Sequence, residues 1–296
     1  MLIQNLQKRE LISPPKFLPD NVIYMIWGGS HLYGTAKDNS DRDVVGICVP
    51  HKSDVFPHLQ NEIIGFGNQK KRFEQWQQHH ILDKDAHGGK GQEYDFCIYS
   101  IIKYFNLAMQ NNPNTLEILF APQEGIIHTT SVGQLIRDNR QLFLHKGSYH
   151  KYRGYAFSQK NKMKTQKREG KRKEDFEEFG YDRKFAMHLV RLMEECETIL
   201  VDKTISFDKD KDLLREVRNG RYSLEWFDEY FDKKEIYLQK LYEKSSLPYG
   251  PDEEKIKELL LNCLELHYGS LDNTIKKFDK YEKVVRDIAK MVNQVI

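Results

Sequence analysis

The sequence predicts an α+β chain, with strands and helices mixed through its first part and helices alone beyond it. Three observations predict this. Short apolar runs at Val22–Trp27 and at residues 44–49 frame a Gly-Ser turn and an Asp-x-Asp pair. A third run, 93–99, is rich in strand-forming aromatics and leads into a helical stretch. Beyond about Ser131, long periodic runs contain few Pro or Gly.

The first run reads as a strand entering the turn Gly28-Gly29-Ser30, and the second as a strand leaving Ser40-Asp41-Arg42-Asp43. On a strand, Asp41 and Asp43 leave the same face and can share metal ions. Attack on the α-phosphorus of a nucleoside triphosphate needs its charge neutralised and its incoming and leaving oxygens held in line. Two divalent cations about 4 Å apart do both. Mg²⁺ takes oxygen ligands and keeps much of its water, so a few carboxylates and the substrate phosphates hold the pair. Glycines at 28 and 29 remove side chains that would keep phosphate from the main chain, and Ser30 adds a hydroxyl and an N–H at a helix start. Asp-x-Asp alone is usually a solvated strand end, and Gly-Gly-Ser alone a turn. Their conjunction points to nucleotidyl transfer.

These residues resemble the DNA polymerase β superfamily of nucleotidyltransferases, whose members carry Gly-Ser followed by Asp-x-Asp or Asp-x-Glu. More narrowly, the chain is similar to nucleotidyltransferases associated with RNA-repair genes, the RlaP family. The blocks that carry this are Gly29-Ser30-His31-Leu32-Tyr33-Gly34 with Ser40-Asp41-Arg42-Asp43, Tyr94-Asp95-Phe96, residues 112–119, residues 180–192 and residues 247–252. The likeness runs from about Pro14 to about Tyr268.

The resemblance implies a polymerase-β-like mixed sheet with helices in a catalytic domain, 1–125, and an α-helical C-terminal domain, 126–296. It implies a third carboxylate on a later strand, Asp95, serving a metal by ligation or as a base. Glu93 is its same-face neighbour and keeps a shift of two residues open. Mg²⁺ or Mn²⁺ on Asp41, Asp43 and Asp95, and NTP phosphates near Gly29 and Ser30, complete the expected site.

Composition sets the frame. Among 296 residues, 39% are hydrophobic, enough for a substantial core in one or two domains. A net charge of +2 gives no whole-chain argument for nucleic acid. Residues 159–173, however, hold eight Lys or Arg and one Glu, followed by the acidic cluster at 174–178. Such a block is either a solvated face or a contact for a phosphate backbone. Cys48, Cys97, Cys196 and Cys263 are scattered and form no Cys-x-x-Cys pair, which argues against a zinc site or a disulfide framework. There is no apolar run of membrane-spanning length and no signal-peptide apolar region, so a cytoplasmic, reduced setting is expected.

Residues 66–91, rich in Gln, His, Lys and Gly, join the Asp43 strand to the Asp95 strand. They read as a mobile lid or an acceptor-contacting loop at the mouth of the site. His79-His80 suggests a second metal, but adjacent histidines diverge and no Cys or carboxylate cluster lies at ligand spacing. In 112–117, Asn-Pro breaks the preceding helix and Asn114 or Thr115 caps the next. Glu117 in this apolar setting reads as a buried carboxylate satisfied by N–H groups or an Arg. Residues 181–200 read as a largely buried helix with one polar stripe: Lys184, His188, Arg191 and Glu195. Either these form ion pairs, or Lys184, His188 and Arg191 line the cleft as donors to triphosphate or acceptor.

The expected activity is transfer of an NMP from an NTP to an acceptor hydroxyl. The family's association with RNA repair makes an RNA 3′ end, on tRNA among others, the first choice of acceptor. A protein hydroxyl or a small molecule is the alternative. A nucleotide-binding module or antitoxin-like partner without turnover is the reading from a different class.

Overall fold

Apolar alternation builds five strands: β1 (Val22–Trp27), β2 (Arg42–Cys48), β3 (Gln75–Asp83), β4 (Gln92–Ser100) and β5 (Ile126–Thr129). In the computed structural model, which describes residues 1–36, 40–165, 171–269 and 271, they form one mixed sheet in the order β3-β4-β2-β1-β5. β2 and β4 run parallel and the other pairs are antiparallel. A parallel pair needs a long crossover, and residues 49–91 provide it. They do so by way of α4 (Lys52–Val55) and β3, followed by the short turn α5 (Ala86–Gly89), of which α1 (Leu2–Lys8), α2 (Leu18–Asn21) and α3 (Gly29–Leu32) are the predecessors in the chain.

The segment expected to be a lid or loop thus contains a nine-residue edge strand. Its Gln-Trp-Gln-Gln-His-His composition hides this, because most of the strand is exposed and its apolar anchors are two, Trp76, tilted against Phe96 with ring centres 5.6 Å apart, and the buried Ile81. The sheet also runs past residue 125, since β5 pairs with β1.

Each face of the sheet has its own core. Val44, Cys48, Tyr94, Phe96 and Ile98 face α1 and α2, packing with Ile3, Leu6 and Leu18. The opposite face, with Val45 and Ile47 of β2, packs against α6 (Ile101–Met109), α7 (Pro113–Phe120) and the helices that follow. These are α8 (Ser131–Asp138), α9 (Ser148–Thr165), α10 (Lys171–Phe179), α11 (Arg183–Asp202), α12 (Lys211–Arg218), α13 (Leu224–Lys244) and α14 (Glu253–Tyr268). One continuous core joins Ile47 and Tyr104 to Leu189, Cys196, Phe227 and Cys263, so the distal helices pack on the sheet domain's own helices. At α7 the cap is Asn112, whose side chain accepts from the Asn114 N–H, with Pro113 at the first helical position. No helix among the described residues is long and apolar enough to cross a membrane.

Candidate active site

The parallel pairing of β2 and β4 sets the site. Asp43 and Asp95 are direct register partners, so their side chains leave neighbouring strands on the same face. That is the face on which Val45 and Tyr99 meet the helical core. At the opposite alternation, Arg42 lies 4.8 Å over the Trp27 ring, which stacks on Tyr94. Those contacts lock the register, and a slip of one residue would send both aspartates to the wrong face. Asp41 stands just outside β2, exposed, next to the point where Gln92 donates to the Ser40 carbonyl at 3.1 Å. His31, of α3, is also hydrogen-bonded to the Ser40 backbone. The Gly-Ser helix and β4 thereby hold the residue that precedes Asp41.

The turn lies against the second aspartate. Gly28 N–H donates to the Asp43 carbonyl at 2.8 Å. Gly29 has φ +57°, and a Cβ there would lie 1.8 Å from Asp43 Oδ2. Glycine at 29 is therefore required both by its left-handed backbone and by the approach of the Asp43 carboxylate. Burial raises the Asp43 pKa; Lys184 opposes this, while Asp95, Asp41 and Glu117 add to it. Lys184, exposed near the start of α11, is thus the cation that opposes the burial of the Asp43 carboxylate.

The Lys184, His188 and Arg191 stripe does not act as one surface. Asp182 caps α11, accepting from the N–H groups of Lys184 and Phe185 at 2.8 and 3.2 Å. From that end the stripe descends into the core. Arg191 is buried and donates to Glu117 at 2.7 Å and to Glu195 at 3.0 Å. Its guanidinium lies 4.6 Å from the Tyr33 ring centre, and Tyr33 donates to Glu117 at 2.5 Å. Burial works against its charge, while Glu195, Tyr33 and Glu117 raise its pKa, and its guanidinium is engaged by these buried partners. His188 is held well below the ordinary histidine pKa by burial and by Arg191, Lys184 and Arg218. The Arg expected to satisfy Glu117 is thus Arg191, and the network fastens α11 beneath the turn that carries Gly29 and Ser30. α12 adds a second tie, with Arg215 Nε donating to the Gly34 carbonyl at 3.0 Å.

On the other edge, β3 brings in His80, from the doublet whose spacing in the sequence argues against a metal group. The β3–β4 register slips between Gln78 and Ile81, and within the slip His80 takes φ 56°. Its N–H donates to Asp95 Oδ1 at 2.7 Å, and its Nδ1 lies 2.7 Å from Glu93 Oε1. The ligand atoms of His80, Glu93 and Asp95 all lie within 4.8 Å of one another. His79 Nδ1 is 3.6 Å from the same Asp95 oxygen. The bond to Glu93, aided by the charges of Asp95, Glu93 and Asp41, raises the His80 pKa. Only long-range pairing creates this grouping, and the closest signal in the sequence is the doublet His79-His80 itself.

Of the basic block, Lys160 and Lys164 face α13: Lys164 donates to both carboxylate oxygens of Asp228 at 2.8 Å, and Lys160 pairs with Asp228 and Asp232. Lys167 and Arg168 lie outside the described residues.

An uncharacterized 38.9 kDa protein of Enterobacteria phage T4, from the nrdC-mobD intergenic region, is 29% identical to this chain over 136 residues. That match covers 45% of this chain and 36% of the phage protein, about a third of its length. The crystal structure of a nucleotidyltransferase-like protein from Exiguobacterium sibiricum 255-15 is 12% identical, with a TM-score of 0.29 over 96% of this chain and 78% of that one. The match to the RNA repair pathway DNA polymerase beta family covers residues 3–235, taking in the acidic sheet face, the turn set against it and the helix opposite. The chain belongs to that family of nucleotidyltransferases, RlaP.

Proposed function

We propose that the acidic face of β2 and β4 transfers a nucleoside monophosphate from an NTP to an acceptor hydroxyl. The observation that carries this reading is the direct register pairing of Asp43 with Asp95, with Gly29 pressed against the Asp43 carboxylate. Oxygen donors gathered on one face suit hard divalent cations, so Asp41, Asp43 and Asp95 fit as the residues that would hold Mg²⁺ or Mn²⁺. Such ions, when bound, neutralise triphosphate charge and lower the pKa of the acceptor hydroxyl.

The chain's own residues supply the rest. The acceptor oxygen forms a bond to the α-phosphorus as the bond to pyrophosphate breaks. The Gly29–Ser30 turn lies beside Asp43, where the phosphates would approach the main chain. Lys184 is the exposed cation placed to meet the charge that gathers on departing pyrophosphate. The His80 amide orients Asp95. Residues 1–125 with β5 form the catalytic unit on this reading, and the helices after them close the side of the cleft that bears Lys184.

The family's tie to an RNA repair pathway favours an RNA 3′ end as acceptor. The test is incubation with each α-labelled NTP and Mg²⁺ or Mn²⁺, with RNA, protein and a small-molecule extract as separate acceptors. Label enters RNA, and Asp43→Asn abolishes this without loss of fold, because burial already favours the uncharged form there. Label confined to protein or small molecules overturns the RNA acceptor. Nucleotide binding with no transfer to any pool overturns the enzyme.

A further inference from the structure

Three donor groups meet where β3 pairs with β4, the ligand atoms of His80, Glu93 and Asp95 lying within 4.8 Å of one another, and one of the three is a nitrogen. His80 lies at the edge of this face, at the register slip of β3, with its imidazole against Glu93 and its amide on Asp95. A regular strand would alternate residues 79 and 80 to opposite faces. The left-handed backbone at His80 turns it back towards β4 instead. The histidine side chain is 83% exposed with its Nδ1 2.7 Å from Glu93 Oε1, so an ion entering the cluster would replace that contact.

Imidazole nitrogen is a poor ligand for Mg²⁺, which selects oxygen and water, whereas transition-metal dications accept nitrogen and oxygen together. We propose that His80, with Glu93 and Asp95, forms a mixed nitrogen–oxygen position in the acidic site that selects Mn²⁺ over Mg²⁺. The proposal rests on the acidic face being a metal site, and it names the ion that site prefers.

The substitution His80→Gly removes the imidazole and suits φ 56°, so the strand slip and the amide bond to Asp95 survive. The full-length protein is titrated with Mn²⁺ alone, following the loss of the free-ion electron paramagnetic resonance signal, and then with Mg²⁺ as competitor. Pulsed spectra of bound Mn²⁺ are recorded for nitrogen modulation. Wild-type protein shows that modulation and holds Mn²⁺ more tightly than Mg²⁺. In His80→Gly the modulation disappears and Mn²⁺ affinity falls by roughly tenfold, the low end of what a lost group in a metal site costs, while Mg²⁺ affinity holds.

An unchanged Mn²⁺ to Mg²⁺ ratio in His80→Gly, or nitrogen modulation lost in His79→Ala but kept in His80→Gly, overturns the assignment and leaves the carboxylate site standing. If Asp43→Asn and Asp95→Asn leave binding of both ions unchanged, the failure lies in the acidic face itself, and the assignment falls with it.

Discussion

Replacing Gly29 with alanine tests the geometry of the turn through a single carbon atom. The added Cβ would lie 1.8 Å from Asp43 Oδ2 and 2.7 Å from its Cγ. Side-chain carbons essentially never come closer than 3.0 Å, so the carboxylate must retreat by about 1.2 Å. Asp43 can do this only by turning about its own side chain, which takes its oxygens out of the position they hold beside Asp95. The backbone contributes separately, since a left-handed residue with a Cβ costs roughly 1–2 kcal/mol. For a chain of this size that corresponds to a fall in Tm of roughly 2–8 °C. A displacement near 1 Å in a catalytic group costs on the order of 10²-fold in rate. Gly29→Ala is therefore expected to stay folded, lose a few degrees in thermal melts, and lose about two orders of magnitude in label transfer from α-labelled NTP. Gly28→Ala is the control: its Cβ would press on Val45 Cγ2 at 3.0 Å, which a small rotation relieves, and would stay in ordinary contact with Asp43, 3.7 Å from its Cβ and 3.8 Å from its carbonyl oxygen. Wild-type turnover in Gly29→Ala, or equal losses in both variants, would refute the assignment of Asp43 to the chemistry.

Three further outcomes follow from the network behind the site and from the basic helix. Arg191→Met leaves Glu117 and Glu195 buried without their guanidinium, and a loss of about 3–5 kcal/mol is expected in denaturant melts; a loss below 1 kcal/mol would show that the network is not a structural tie. Burial pushes Glu195 up to about 8, with Arg191 opposing, from an ordinary value of 4.5. Because the folded state retains a proton that the unfolded chain has lost, this group's contribution is fully present below about pH 4.5 and is lost as pH rises towards 8. Glu195→Gln should flatten the decline in Tm between pH 6 and pH 8, and an unaltered profile would count against it. Lys160→Gln with Lys164→Gln should leave the salt dependence of RNA binding unchanged, since both charges are spent on Asp228 and Asp232; a flatter slope would restore them as phosphate contacts.

The parts of the fold legible in the sequence are those whose signal is local. The apolar run at 22–27 coincides with β1, residue for residue, and the aromatic run at 93–99 falls within β4. Asp41 and Asp43 could be paired because a strand period of two relates them without knowledge of any partner. α11 was legible as a buried helix, yet its stripe of Lys184, His188, Arg191 and Glu195 was not divisible from sequence. Spacing places four residues on one face but gives no depth, and the helix passes from the exposed Lys184 to the buried Arg191 within two turns. β3 was hidden for the opposite reason. An edge strand exposed on most of its length need not be apolar, so Gln and His carry no strand signal there.

The same exposure explains His80. Its place beside Asp95 depends on one residue of slippage in the pairing with β4, a long-range event with no local code. Where a strand can tolerate slippage at no cost to a core, the slip is free to serve chemistry. Ile81 and Asp83, the buried positions that follow, resume the register and anchor the strand, the latter through its paired bonds from Arg9 at 2.7 and 2.6 Å. The bulge is therefore bracketed by Trp76 on one side and by Ile81 and the Arg9–Asp83 pair on the other, so the left-handed residue between them is held against β4 by its neighbours rather than by its own packing. A strand built this way fixes the histidine's backbone on Asp95 and sets its exposed ring against Glu93, so the imidazole stands at the edge of the acidic face.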